Sequence, residues 1–242
     1  MAAATDIALR QQVMYSVFVR NYSKAGNFEG VRRDLRRIRD LGVDIIWLMP
    51  IHPIGEKCRK GRMGSPYAIK DFRAVNPDFG TEEDLKRLVG DAHGLGMKVI
   101  IDVVYNHTSP DSVLAVSHPE WFYHKPDGSL GNRIGEWYDV VDLDYRKQEL
   151  WDYQIDTLKK WAGIVDGFRC DVASLIPLEF WLRARRKVAE VIRNVCGSPS
   201  RSIAVSSLTA GQTEFRPHLI LNSIRLSISA TIMIFSTALQ TI

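Results

Sequence analysis

The residues best suited to chemistry fall in three short stretches. Asp166, Arg169 and Asp171 stand within six positions, in DGFRCD. Side chains two apart on a strand share a face, so Arg169 and Asp171 are expected to point the same way. A guanidinium beside a carboxylate favours the ionised form, which a carboxylate nucleophile requires. The same pattern suits a plain ion pair at a strand end, and these residues alone do not separate the two. Upstream, DVVYNH (102–107) supplies Asp102, Asn106 and His107. A carboxylate and an imidazole there suit sugar hydroxyls, and Asn106 offers a carbonyl oxygen to a hard cation such as calcium. A strand running into an Asn-capped turn is the alternative. Tyr67, among the turn residues of GSPYAIKDFRAVNPDFGT (64–81), offers a ring to stack on a sugar or simply to pack.

The elements that must position these residues alternate in period. VMYSVFV (13–19), VDIIWLMP (43–50), MKVIIDVVYNH (97–107) and IVDGFRCDV (164–172) read as strands, the middle two apolar enough to be covered on both faces. Helices are expected over 28–42, where Val31, Leu35, Ile38 and Leu41 recur at helical spacing, and over 81–96, which opens on a Thr cap with acids in its first turn. Two more are expected over about 147–161 and 177–195. Strict strand–helix alternation means a parallel sheet of the α/β class. In a barrel of this type chemistry gathers at the C-terminal strand ends, here near Pro50, His107 and Asp171. Residues 108–144, rich in Pro, Gly, His and Trp, are too long for a connector and read as a small excursion forming part of a cleft. Its aromatic run Trp121, Phe122 and Tyr123 is a candidate wall of that cleft.

Bulk properties exclude several classes. The chain has 242 residues, 45% hydrophobic and 25% charged, ordinary for a globular protein and enough for a sizeable core. A net charge of +4, with arginines in helical runs such as 31–40 and 183–187, fits solvated helix faces, so no nucleic-acid partner is expected. Cys58, Cys170 and Cys196 lack CxxC spacing, which argues against a disulfide framework or zinc site and for a reducing compartment. No secretory signal is visible at MAAATDIALRQQ and no run is long and apolar enough to span a membrane, so a cytoplasmic location is expected.

Together the three stretches resemble the α-amylase family of glycoside hydrolases, glycoside hydrolase family 13. DVVYNH resembles its first signature region, GFRCDVAS (167–174) its second, and the segment around Tyr67 the one carrying a sugar-stacking tyrosine. The order, spacing and barrel phase agree, over about Val13 to Ala189. The resemblance implies a (β/α)8 barrel, of which about the first four units are present, and retaining chemistry on α-glucans or maltooligosaccharides. It makes Asp171 the nucleophile and Arg169 the group that holds it ionised and oriented. Asp102 and His107 would bind sugar, Tyr67 would stack on it, and Asn106 would match a calcium ligand in members that bind calcium. No cofactor is required. Hydrolysis, transglycosylation and isomerisation, and α-1,4 and α-1,6 linkages, stay open, as do a non-catalytic glucan-binding role and the oligomeric state.

The family pattern also needs a glutamate acid/base after strand five and an aspartate after an Asn–His pair at strand seven. Only Glu179, Glu190 and Glu214 follow Asp171, and no Asn-His-Asp occurs. From Gly197 onward only four of the chain's charged residues remain. The expected organisation is therefore a barrel part over 13–196, with a small inserted cleft segment at about 108–144, and an anomalous tail over 197–242. Taking the third base of each codon with the first two of the next, and choosing codons freely, Ser198 to Arg201 can read Ala-Glu-Ser, and Leu221 to Ser236 an acidic, aromatic run. A frameshift between about Val195 and Ser198 is the expectation that follows, with an inactive, poorly soluble product whose first and fourth strands are unpaired edges. Sequencing the gene across codons 190–205 tests it: a glutamate codon near 199 in the alternate open frame is expected, and stops or no glutamate there would refute it.

Overall fold

The computed structural model of the protein describes residues 11–195 and Thr231–Ile234. Strand β1 (Met14–Val17) leads into the short helices α1 (Val19–Tyr22), α2 (Phe28–Arg32) and α3 (Leu35–Asp40), then strand β2 (Ile45–Leu48). Helix α4 (Glu82–Gly94) and strand β3 (Lys98–Val103) follow. The excursion holds strand β4 (His107–Thr108), helix α5 (Val113–Ser117) and strand β5 (Val141–Asp142). Helix α6 (Gln148–Ala162), strand β6 (Gly167–Cys170) and helix α7 (Leu178–Val195) complete the alternation, and strand β7 (Thr231–Ile234) lies in the tail.

Strands β1, β2, β3 and β6 pair in that order, all parallel, as the alternation predicts for part of a β/α barrel. Two expectations change at the edges of elements. The helix expected over 28–42 is broken at Asp34, whose backbone leaves helical geometry at φ −102° and ψ 0°. Its carboxylate is engaged by the Tyr22 hydroxyl and the Arg37 guanidinium instead. The third strand ends at Val103 rather than His107, because the chain turns there and His107 pairs with the excursion's own strand, opposite Asp142.

A third expectation is corrected at the sheet's outer edge. The fourth strand does not stand bare: β7 pairs with it antiparallel, Gly167 opposite Ile234 and Cys170 opposite Thr231. The partner's sense is opposite to every other pair in the sheet. β1 remains an edge, as expected. The rest of the tail, with its expected change of frame, lies outside the described residues.

The helices pack because their apolar residues recur at 3.6 spacing. Thr81 and Asp84 close a reciprocal capping box at the start of α4, which then buries Leu85, Leu88, Val89 and Ala92. Trp161, fully buried on α6, donates its indole N–H to the Phe72 carbonyl at 2.8 Å. Phe180 anchors α7 by edge contacts with Tyr105, Tyr145, Trp151 and Trp181. At the N-terminal strand ends Asp166 accepts the Val99 N–H at 2.8 Å and meets His93 Nε2 at 2.7 Å. That clamp ties α4 to β3 and β6 on the side away from the other candidate residues, so Asp166 is structural.

Truncating Phe180 removes the ring common to four aromatic contacts. Phe180→Ala is expected to cost about 3–5 kcal/mol, read as a lower denaturant midpoint. An unchanged midpoint would contradict this packing.

Candidate active site

The register of the parallel sheet sets Asp102 directly opposite Arg169. Both side chains lie on one face, and Arg169 Nη1 reaches Asp102 Oδ1 at 3.1 Å and Oδ2 at 3.0 Å. The same nitrogen donates to Asp171 Oδ1 at 2.7 Å, two residues further along β6 and on the same face. Asp171 itself extends the ladder by donating its backbone N–H to the Val103 carbonyl at 2.9 Å. The guanidinium lies over the Trp47 ring, 5.2 Å from its centroid, so an aromatic face from β2 fixes its height. One cation therefore serves two carboxylates. Asp102 is fully buried, and burial pushes its carboxyl up to about 7 against the opposing pull of Arg169. Immediately after Asp171, Val172 adopts φ 40° and ψ 40°. A β-branched residue in the left-handed region is strained, and the strain turns the chain sharply at the strand's exit.

Tyr67 and His107 complete this corner. The Tyr67 hydroxyl donates to Asp102 Oδ2 at 3.3 Å, and burial, followed by the Asp102 charge, pushes it well above the ordinary phenol range. Burial lowers His107, opposed by the negative charges of Asp171, Asp142 and Asp139, so its neutral imidazole is favoured. Two loops bring Tyr67 here. Gly55 packs so closely that a Cβ would lie 2.1 Å from Ser109 Cβ, and Gly64, at φ 72°, turns the chain just before Ser65 and Tyr67.

Tyr67, His107 and Asp171 open on one cavity of about 280 Å³, also lined by Lys60, Ser65, Trp137, Asp139, Val140 and Val172. Its polar groups converge on a concave surface with an aromatic wall, suited to one sugar ring. Arg169 and Asp102 stand behind that lining as its electrostatic support. The aromatic wall is Trp137, whose ring meets His107 edge-on at 5.4 Å. This corrects the expectation for Trp121, Phe122 and Tyr123. Trp121 and Phe122 are buried in the core, with Trp121 stacked on His118, and Tyr123 lies under the Arg133 guanidinium. Lys60 and Asp139 carried no sequence signal. They form an ion pair at 2.8 Å between the loop after β2 and the excursion.

No described glutamate joins the cavity: Glu179 and Glu190 are exposed on α7, and Glu214 lies outside the described residues. Asp139 is the other carboxylate in the lining. Asn106 is buried in a neighbouring cavity with Asp142 and Asp144, its side-chain amide 3.3 Å from His107 Nδ1. Among the described residues no group of three or more His, Cys, Asp or Glu side chains is placed to hold a metal ion. None of the described helices is long and apolar enough to cross a membrane.

With this geometry in place, comparison with known proteins points one way. Residues 12–128 match the model for the α-amylase catalytic domain. A crystal structure of an α-amylase from Lactobacillus plantarum superposes with a TM-score of 0.74 and 65% identity, covering 75% of this chain and 43% of that one. A maltogenic α-amylase from Thermotoga neapolitana gives 0.71 and 43%, covering 76% and 44%. Among curated sequences, an α-1,4-glucan:maltose-1-phosphate maltosyltransferase from Salinibacter ruber is 34% identical over 198 residues, 71% of this chain and 30% of the relative. The chain thus spans less than half the length of each of these three relatives.

Asp102 also sets a pH dependence. Its folded value is raised above the ordinary 3.8, so its contribution to stability is fully present below about pH 4 and is lost as pH rises through about 7. Asp102→Asn is expected to flatten the melting temperature between pH 4 and 8, measured by thermal denaturation. A slope as steep as that of the parent chain would contradict the assignment.

Proposed function

Because the chain belongs to the α-amylase family, we propose that Asp171 is the nucleophile of a retaining reaction on the α-glucosidic bonds of starch-like glucans or maltooligosaccharides. One observation carries the reading: Asp171 lines the cavity with Tyr67 and His107 while Arg169 binds its carboxylate from behind at 2.7 Å. In the first step an Asp171 oxygen bonds to the anomeric carbon as the bond to the departing sugar oxygen breaks. Arg169 balances the carboxylate's charge and fixes which oxygen faces the sugar. His107 binds hydroxyls of the reacting ring and Tyr67 stacks on it, while Asp102, buried behind the lining, holds Arg169 and the Tyr67 hydroxyl rather than the sugar. No cofactor enters this chemistry, which needs two carboxyl groups about 5–5.5 Å apart and a water or sugar hydroxyl. Water resolving the glycosyl ester gives hydrolysis, and a sugar hydroxyl gives transfer. The transferase name of the curated relatives favours transfer as a second reading.

The departing oxygen needs a proton. Asp139, the other carboxylate of the lining, is paired to Lys60. We therefore assign 13–196 to the first part of a catalytic barrel, and 197–242 to a tail produced by a change of frame. Among the described residues no carboxylate stands ready as the acid/base, and a chain without one would lose about 10² to 10⁴ in rate. The free thiols of Cys58 and Cys170 fit a cytoplasmic setting.

An α-glycosyl fluoride separates nucleophile from acid, because fluoride departs without protonation. The intact chain should gain one glycosyl residue at Asp171, detected by mass spectrometry, and Asp171→Asn should gain none. Natural maltooligosaccharides should turn over negligibly. A folded chain that never labels would contradict the nucleophile, whereas starch hydrolysis abolished by Asp171→Asn would refute the inactivity.

A further inference from the structure

Beside the sugar cavity lies a second one of about 550 Å³, lined by Asn106, Asp142 and Asp144 together with Arg133 and Arg146. Asp142 is buried, and its Oδ1 has no hydrogen-bond partner among the described residues. A buried carboxylate needs a cation nearby, and removing that cation is costly. Calcium would need six to eight oxygens at 2.3–2.6 Å. The donors here do not fit that requirement, since two positive charges already occupy the corner. Arg133 donates its backbone N–H to Asp142 Oδ2 at 2.8 Å and brings Nη1 to 3.4 Å from the same oxygen. Arg146 grips Asp144 at 2.6 Å.

We propose that Arg133 is a built-in cation that takes the place of a divalent ion at the Asn106–Asp142 corner, making the excursion's fold independent of calcium. The guanidinium is held there by more than charge. It lies over the Tyr123 ring, 4.6 Å from the centroid, while its neighbour Asn132 donates its side-chain amide to the Trp137 and Val140 carbonyls at 2.8 and 3.2 Å. Asp142 is the cross-strand partner of His107. Neutralising Asp142 therefore fixes the strand that presents His107 and, through Asn132, the loop that presents Trp137. Arg133 is a positioning residue for the sugar cavity, not one of its walls. The inference concerns how the excursion is held, and stands whether or not Asp171 turns over a sugar.

Thermal melts of the full chain, in EDTA and in millimolar calcium chloride, test it. The parent melting temperature should be the same in both. Arg133→Met should melt about 2–4 °C lower or more, and calcium should raise the melting temperature of this variant alone, since the vacated corner retains Asp142, Asp144 and Asn106. A parent chain destabilised by EDTA, a variant as stable as the parent, or a loss that calcium leaves untouched would each overturn the proposal. The last outcome would reduce Arg133 to packing. Should Arg133→Met fail to fold, Arg133→Lys decides. A calcium-indifferent melt near the parent's supports the built-in charge, and the same failure to fold overturns it.

Discussion

One guanidinium between two carboxylates is the constraint on which the site depends. Arg169 reaches Asp102 because two parallel strands are in register, and Asp171 because it is two residues further along the same strand. The Asp102 contact does not survive a slip of one residue, which would exchange the two faces of β6 and turn Arg169 and Asp171 together toward the helices. Helix packing that fixes this register is therefore part of the site's chemistry. Asp166, holding β3, β6 and α4 together at the opposite strand ends, locks the register mechanically. The imbalance of charge has its own consequence. With one cation for two anions in a buried setting, the deeper carboxylate, Asp102, is driven toward its neutral form. Arg169 donates to Asp171 as well, and Asp171 faces the cavity.

Much of this was legible in the residue order. Period-two spacing placed Arg169 and Asp171 on one face, and strand–helix alternation gave the parallel sheet and its C-terminal ends. The Asp102–Arg169 contact was not legible, because it depends on register between strands 67 residues apart. Lys60 and Asp139 were invisible for a similar reason: a lysine in a loop and an aspartate in an excursion gain meaning only when the two segments meet. The aromatic wall was placed on the wrong residues. Trp121 to Tyr123 and Trp137 are alike in composition, and what separates them is packing: the first set supports the excursion and Trp137 edges against His107. Asn106 lies in a neighbouring cavity where Arg133 and Arg146 pair with Asp142 and Asp144, a grouping that depends on how the excursion folds and not on the motif.

Every described lining residue comes from the first four strand–helix units and the excursion, and that includes Asp171, Tyr67, His107 and Trp137. A retaining reaction needs a proton donor opposite them. The antiparallel β7 beside β6 gives the sheet a partner where a parallel fifth strand would continue a barrel, and it satisfies backbone groups without supplying a carboxylate at the strand's exit.

The central claim, that Arg169 makes Asp171 a competent nucleophile, is tested most directly by the rate at which an α-glycosyl fluoride esterifies Asp171. Exchanging Arg169 for methionine removes a charge-assisted hydrogen bond of about 1.5–3 kcal/mol. The labelling rate should fall by roughly 10- to 150-fold in a chain whose fold is intact by circular dichroism. Equal rates in parent and Arg169→Met would contradict the account.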